Sequence, residues 1–209
     1  MPLYDFLAPA YDLAFERIYS PFREQALAHL EVAPGACVLD LACGTGQNFP
    51  LLAGRLGPRG RIVGVDISVG MLRRALRRSR ALADAPRIAF LRADAAELDA
   101  ALLEERAGVR AVDAVVCTYG FTTMRHWETA FRASWKLLRP GGAYLIHDID
   151  AARHTLHVRA VELATHSHFT HRVWRPLKNV STGFRMEYFD PSAYLFGGRL
   201  FVAWGTKSG

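Results

Sequence analysis

One stretch constrains this chain more than any other: Val38-Leu39-Asp40-Leu41-Ala42-Cys43-Gly44-Thr45-Gly46-Gln47-Asn48. Cys37 to Leu41 is an apolar run interrupted only by Asp40, the pattern of a strand buried on both faces. Two glycines follow, and without a Cβ their backbone can take positive φ and approach a ligand closely. A helix is expected to start near Asn48 and Pro50. Its first N–H groups lack partners within the helix and carry a partial positive charge toward whatever sits at the turn. Strand, glycine turn and helix in that order form the first crossover of a nucleotide-type site in a parallel α/β sheet. A dinucleotide fingerprint would place a third glycine three residues after Gly46, and Phe49 stands there instead. What remains to be explained is the acid at the strand end, Asp40, four residues before Gly44.

The rest of the chain keeps the alternation of strand and helix. Arg61 to Asp66 reads as the second strand, ending in an acid 20 residues past Gly46. A carboxylate there can accept both hydroxyls of a ribose. Ser68 is a good N-cap for a helix carrying Arg73, Arg74, Arg77, Arg78 and Arg80 outward and Met71, Leu72, Ala75 and Leu76 inward. Ser79 falls on the inner side, with its hydroxyl expected on the carbonyl of Ala75. Ile88 to Leu91 is the third strand, followed by Asp94-Ala95. A short helix from Ala100 to Arg106 leads to the fourth strand, Val112 to Cys117, with Thr118-Tyr119-Gly120-Phe121-Thr122 at its carboxyl edge. A helix from about Trp127 to Leu138 ends at Pro140-Gly141-Gly142, and Ala143 to Ile146 is the fifth strand. Ala151 to Thr165 reads as helix, and Gly183 to Tyr188 with Leu200 to Trp204 as two closing strands.

D-x-x-x-G-x-G at Asp40, Gly44 and Gly46 resembles the first motif of class I S-adenosylmethionine-dependent methyltransferases. Gly64-Val65-Asp66-Ile67-Ser68-x-Gly70-Met71-Leu72 resembles the second. Leu138-Arg139-Pro140-Gly141-Gly142 matches the family's L-x-P-G-G before the fifth strand. Four motifs, counting Asp94-Ala95, stand in order over residues 35–148. Ala42 departs from the pattern, where many members have Gly. The resemblance implies S-adenosyl-L-methionine as cofactor, held by Tyr11, Asp40, Ala42, Gly44, Gly46, Asp66, Ile67, Met71, Asp94, Ala95 and Thr118. Ile67 would lie on the adenine and Asp94 would bond its amino group. It also implies the fold: α/β, a Rossmann-like seven-stranded methyltransferase sheet with a closing antiparallel β-hairpin and an N-terminal helical lid. A single domain, 1–209, is expected, with residues 1–30 as lid, 35–148 as cofactor-binding core, and 149–209 as substrate side and closing strands. The Tyr-Asp pairs of the N-terminus resemble those of the ubiquinone/menaquinone C-methyltransferases and the bacterial phospholipid N-methyltransferases.

Composition narrows the partners. The sequence has 51% hydrophobic residues and a net charge of +6, compatible with nucleic acid, an anionic surface or an acidic substrate. No apolar run reaches the roughly 18 residues of a membrane span, and Met1 to Phe6 lacks a signal-peptide pattern. Peripheral contact with a membrane stays open. Cys37, Cys43 and Cys117 read as reduced core thiols of a cytoplasmic protein. His154, His157, His166, His168 and His171 crowd one region, but their spacing shares no single face and no acid or cysteine completes a set, so no metal is expected. Nothing in the sequence sets the oligomeric state.

Methyl transfer from a sulfonium is an in-line displacement in which the protein supplies alignment and a dry pocket. A base is needed only when the nucleophile holds a proton. Catalytic candidates at the carboxyl edge are His147, Tyr119 and Tyr11, with His126 and Asp148 beside them; His147, directly after the fifth strand, is the first choice for a base. Phe121, Trp127, Trp174 and Arg175 are candidates for substrate wall. A small-molecule acceptor is expected, with the amine of an amino-lipid or natural product favoured; the alternatives are O- or C-methylation of a quinone-like or other small molecule, or cofactor binding without catalysis. Phe49 and the missing sixth βα unit weigh against a nicotinamide oxidoreductase. Thr118-Tyr119-Gly120-Phe121 lacks the acid or Asn followed by two prolines of an amino-methylating DNA enzyme, so no nucleic acid partner is expected.

Overall fold

The computed structural model describes residues 19–82, 86–152, 155–165, 167–189 and 198–209. Tyr11 and the greater part of the expected lid therefore lie outside the described residues. Residues 19–28 are helical and are called α1. The chain continues as β1 (Cys37–Leu41), α2 (Phe49–Leu56), β2 (Arg61–Asp66), α3 (Val69–Ser79), β3 (Arg87–Arg92), α4 (Ala100–Ala107) and β4 (Val112–Thr118). It ends with α5 (Trp127–Leu137), β5 (Leu138–Asp150), α6 (Leu156–Thr165), α7 (Arg175–Val180), β6 (Thr182–Tyr188) and β7 (Arg199–Thr206).

The strands form one seven-stranded sheet in the order β3-β2-β1-β4-β5-β7-β6. The first five are parallel, and β7 runs antiparallel between β5 and β6. Side chains alternate across the sheet as a strand's period of two requires. Val38, Ile62, Val116, Leu145 and Val202 pack with α1, α2 and α3 on one face. Leu39, Val63, Val115, Ile146 and Phe201 pack with α4, α5 and α7 on the other. The sheet order reverses between β1 and β4, so the crossovers leave a crevice at their carboxyl ends.

Local signals explain most boundaries. Ser68 caps α3, its Oγ accepting from Met71 N–H at 3.2 Å, and Asp99 caps α4 by accepting from Leu102 N–H at 2.8 Å. Gly108 ends α4 in the left-handed region. Ser79 bonds the carbonyl of Leu76 at 2.9 Å and not that of Ala75, the i−3 partner near a helix end. The fifth strand is longer than expected at both ends: Leu138 to Gly142 are drawn into it before Ala143, and His147 to Asp150 extend it against β7. The register against β4 slips between Val112↔Leu138 and Ala114↔Ala143. Gly142 sits at the slip, where a Cβ would lie 2.5 Å from Leu138 Cδ1 and 2.8 Å from the Asp113 carbonyl. Helix α6 starts at Leu156 rather than Ala151, since Ala151 is still tied to the sheet end by its N–H bond to the Phe169 carbonyl at 2.8 Å. The sequence reading missed α7, which carries Pro in its first turn. Among the described residues no helix is long and apolar enough to cross a membrane.

Gly46 shows what the second motif glycine does. It has φ +77°, and a Cβ there would stand 2.6 Å from the Phe49 ring and 3.2 Å from Ala75 Cα. The position permits close approach of the turn, α2 and α3. Gly46→Ala combines left-handed strain with overpacking and is expected to destabilise by about 2–4 kcal/mol. Chemical denaturation checks this, and a loss under about 1 kcal/mol would show that the three elements yield easily.

Candidate functional site

The carboxyl ends of β1 to β5 open onto a cavity of about 590 Å³. Ala42 to Thr45 line it after β1, Asp66 to Val69 after β2, and Arg92 to Ala95 after β3. Thr118, Tyr119 and Thr122 to His126 follow β4, while Asp148 and Ile149 close the end of β5. Tyr19 and Arg23 of α1, with Ser167 and Phe169, cover the opposite side.

Two strands hand over to their loops through left-handed residues, Ala42 at φ +50° after β1 and Tyr119 at φ +56° after β4. Such backbone is strained for any residue with a Cβ, and more so for an aromatic one. Tyr119 is held there by its N–H bond to the His147 carbonyl at 2.7 Å and its hydroxyl bond to His147 Nε2 at 2.5 Å. The ring of Tyr19 lies 4.7 Å from that of Tyr119, and the Arg23 guanidinium stands 5.4 Å over it. Ala42 fits beneath Gly120, where a Cβ would fall 2.8 Å from Ala42 Cβ.

One half of the cavity carries the motif acids. Asp66 accepts from Gly44 N–H at 2.9 Å on Oδ2 and from Ser68 N–H at 2.8 Å on Oδ1, which holds its carboxylate at the cavity wall. Ile67 beside it is 59% exposed, a flat apolar surface in the wall. Asp94 accepts from Ala96 N–H at 2.9 Å, which fixes the turn that brings Ala95 to the cavity. Asp40 is fully buried; its Oδ1 accepts from Asn48 Nδ2 at 2.8 Å, and its Oδ2 has no partner among the described residues. Burial pushes its carboxyl up to about 7, against the opposing pull of the Asn48 bond and the charge of Arg23. A buried acceptor left open in this way suits a cationic group of a ligand.

The other half sets aromatic and apolar side chains, Tyr19, Tyr119, Ile149 and Phe169, beside polar ones, Arg23, Thr122, His126 and Asp148. His147 is fully buried, and its Nδ1 lies 2.7 Å from the Phe201 carbonyl. A carbonyl only accepts, so Nδ1 carries the proton, Nε2 accepts, and the Tyr119 hydroxyl donates to it. Burial drives the His147 pKa down to about 3, so the ring stays neutral. Asp148 is buried as well and pushed up to about 6 by that burial. It accepts from Thr122 Oγ1 at 2.6 Å, Thr122 N–H at 3.2 Å and Ile149 N–H at 2.9 Å.

Ala42, Gly44, Asp66, Ile67, Met71, Asp94, Ala95, Thr118 and Tyr119 all line the cavity, as do His126 and Asp148. Gly46 stands behind the turn, and Asp40 sits beneath it. The expectation of His147 as a base at the wall is corrected: it lies behind Tyr119 and, with so low a pKa, is a poor proton acceptor. Phe121, Trp127 and Trp174 pack into the core below α5 and α7 and do not form wall, and Arg175 folds over Trp174. Tyr11 is outside the described residues. Asn48 was missed, since a polar residue at a helix start ordinarily caps its own helix; here it makes no cap and turns to Asp40 and Thr118. Arg23 and Tyr19 were missed because no motif marks them.

The profile of the methyltransferase domain family matches residues 38–142. The 2-phytyl-1,4-naphtoquinone methyltransferase of Thermosynechococcus vestitus is 32% identical over 150 residues, 70% of this chain and 62% of that protein. The ubiquinone/menaquinone biosynthesis C-methyltransferase of Syntrophotalea carbinolica is 32% identical over 150 residues, 69% of this chain and 59% of that protein. The chain thus spans about three fifths of the length of the curated relatives it matches. Among solved structures, the phosphoethanolamine N-methyltransferase 2 of Haemonchus contortus, in complex with S-adenosyl-L-methionine, superposes with a TM-score of 0.71. The superposition covers 94% of this chain and 56% of that one at 16% identity, a likeness of fold.

Asp40 gives the site a pH signature of its own. Its carboxyl is raised from 3.8 to about 7 on folding, so its contribution to stability is complete below about 4 and is lost as pH rises to 7. The slope is about 1.4 kcal/mol per pH unit. Asp40→Asn removes it while keeping an acceptor for Asn48. Between pH 5 and pH 7 the variant should therefore gain about 2–3 kcal/mol on the parent. Asp148 and His147 titrate alike in both proteins and cancel. Urea midpoints that differ equally at both pH values would refute a carboxyl titrating in this window.

Proposed function

The chain belongs to the class I S-adenosylmethionine-dependent methyltransferase family, and from that premise we propose that it methylates a ring carbon of a hydroxylated aromatic acceptor with a lipid tail, such as reduced 2-phytyl-1,4-naphthoquinone. The acceptor class draws on the names of the relatives. The observation that carries it is the far wall of the cavity, where a phenol with its proton held from behind stands against the Tyr19 ring and under the Arg23 guanidinium, with Ile149 and Phe169 in the same wall. An amine acceptor would favour an open carboxylate, whereas both oxygens of Asp148 are engaged by Thr122 and Ile149.

In this reading Asp66 takes the ribose hydroxyls of S-adenosyl-L-methionine, Ile67 lies on the adenine, and Asp94 and Ala95 meet its edge. Gly44 lets the backbone approach, and the open Oδ2 of Asp40 suits the cationic amino-acid end. Once bound, the cofactor would supply an electrophilic methyl, taken by the ring carbon's electron pair as the C–S bond breaks, with the ring proton passing to water. Tyr119 aligns the acceptor. Its own proton goes to His147, so toward the cavity its oxygen can only accept, and a hydroxyl of the reduced ring donates to it. That bond raises electron density on the ring where the carbon must attack. His147 touches no reactant and acts as a positioning residue.

Labelled cofactor incubated with reduced 2-phytyl-1,4-naphthoquinone in detergent should label the ring carbon, and phosphoethanolamine should stay unlabelled. Label on the amine alone would overturn the acceptor class. Asp66→Ala should weaken cofactor binding by about 1.5–3 kcal/mol, the range for a hydrogen bond to a charged group, read by calorimetry. Tyr119→Phe should lower kcat by about 100-fold or more and leave cofactor affinity unchanged; full activity in that variant removes Tyr119 from the reaction.

A further inference from the structure

Helix α6 is built inside out. Its buried positions include Val158, while Glu162 turns toward the protein and accepts from Phe169 N–H at 2.7 Å. Leu156 and Leu163 are 87% and 80% exposed. They stand seven residues apart, two helical turns, on one outward stripe with Arg159 and Ala160 between them. An ordinary surface helix puts its leucines in and its acid out. The single acid of α6 is used inward, so its outward face carries leucine and arginine with no negative charge. Exposed Arg172 and Arg175 follow just beyond the helix.

The stripe is tied to the cavity. The Ser167 N–H bonds the Glu162 carbonyl at 3.1 Å, and both Ser167 and Phe169 line the cavity. Thr122, on the other side of the opening, accepts from His168 N–H at 2.7 Å. The outward leucines thus stand on the helix that leads into the segment framing the opening.

We propose that this face of α6 docks on an anionic lipid bilayer, with Leu156 and Leu163 entering the headgroup boundary and Arg159, Arg172 and Arg175 meeting lipid phosphates. A helix with an apolar face and cationic flanks binds such an interface through buried apolar area plus attraction to anionic lipid. A net charge of +6 supports the same partner. The choice of a bilayer over a second copy of the chain also rests on the proposed acceptor, whose tail resides in lipid. Docking beside the cavity would let such an acceptor enter without crossing water.

The full chain is sedimented with vesicles of phosphatidylcholine alone and of equal parts phosphatidylcholine and phosphatidylglycerol. The parent should bind the anionic vesicles about tenfold or more tightly than the neutral ones. Leu156→Asp with Leu163→Asp should abolish the binding, and Arg159→Ala should weaken it. Both side chains are outward, so thermal midpoints should not move, nor should methylation of a short-tailed naphthoquinol in detergent. A parent that ignores anionic vesicles, or a double leucine variant that binds as the parent does, overturns the proposal. Loss of a concentration-dependent dimer in that variant, without vesicle binding by the parent, would make the stripe a contact between copies. Vesicle binding without quinol methylation would leave the docking surface standing and remove the proposed acceptor.

Discussion

Between β1 and β4 the sheet changes the direction in which strands are added, and nothing in the backbone ladder holds the diverging loops together there. A side-chain clasp does. Asn48, at the start of α2, donates to Asp40 at 2.8 Å and to Thr118 at 3.2 Å, and the Thr118 hydroxyl lies 3.3 Å from Asn48 Oδ1. Three elements converge on that amide: the last turn of β1, the end of β4 and the first helix. The left-handed Ala42 and Tyr119 follow directly from the two clasped strands. Removed from water, these bonds are directional and hard to replace, so the crevice is set before any ligand arrives.

The same burial creates opposed electrostatic demands. Asp40 and Asp148 resist ionisation, and His147 resists protonation. The Tyr119–His147 bond joins two neutral groups and is fixed in one direction by a carbonyl on β7. A strand far along the chain thus decides which way a phenol in the site points its proton.

The first half of the fold was legible because its signals are local. Asp40, Gly44 and Gly46 mark a strand, a turn and a close approach, and Ser68 caps its helix within three residues. The same locality made Asp66, Ile67 and Asp94 readable as cavity wall. The second half depends on distant pairing. His147 and Asp148 are neighbours at a strand end and look alike in sequence; which is covered and which reaches the cavity depends on Val202 and Phe201 pairing beside them. Asn48 could not be assigned because its partners lie 8 and 70 residues away. The outward leucines of α6 gave a helical signal but no hint of which face was which, since Glu162 is drawn inward by a backbone N–H of the following loop.

Strand β7 has neighbours on both sides, β5 and β6. Without residues 199–206, β5 would present an open edge and β6 would have no strand to join. The same segment carries the Phe201 carbonyl that orients His147. It is therefore a keystone: one strand closes the sheet edge, holds the outer hairpin and sets the inner hydrogen bond of the cavity, so damage to it would be felt in all three places at once.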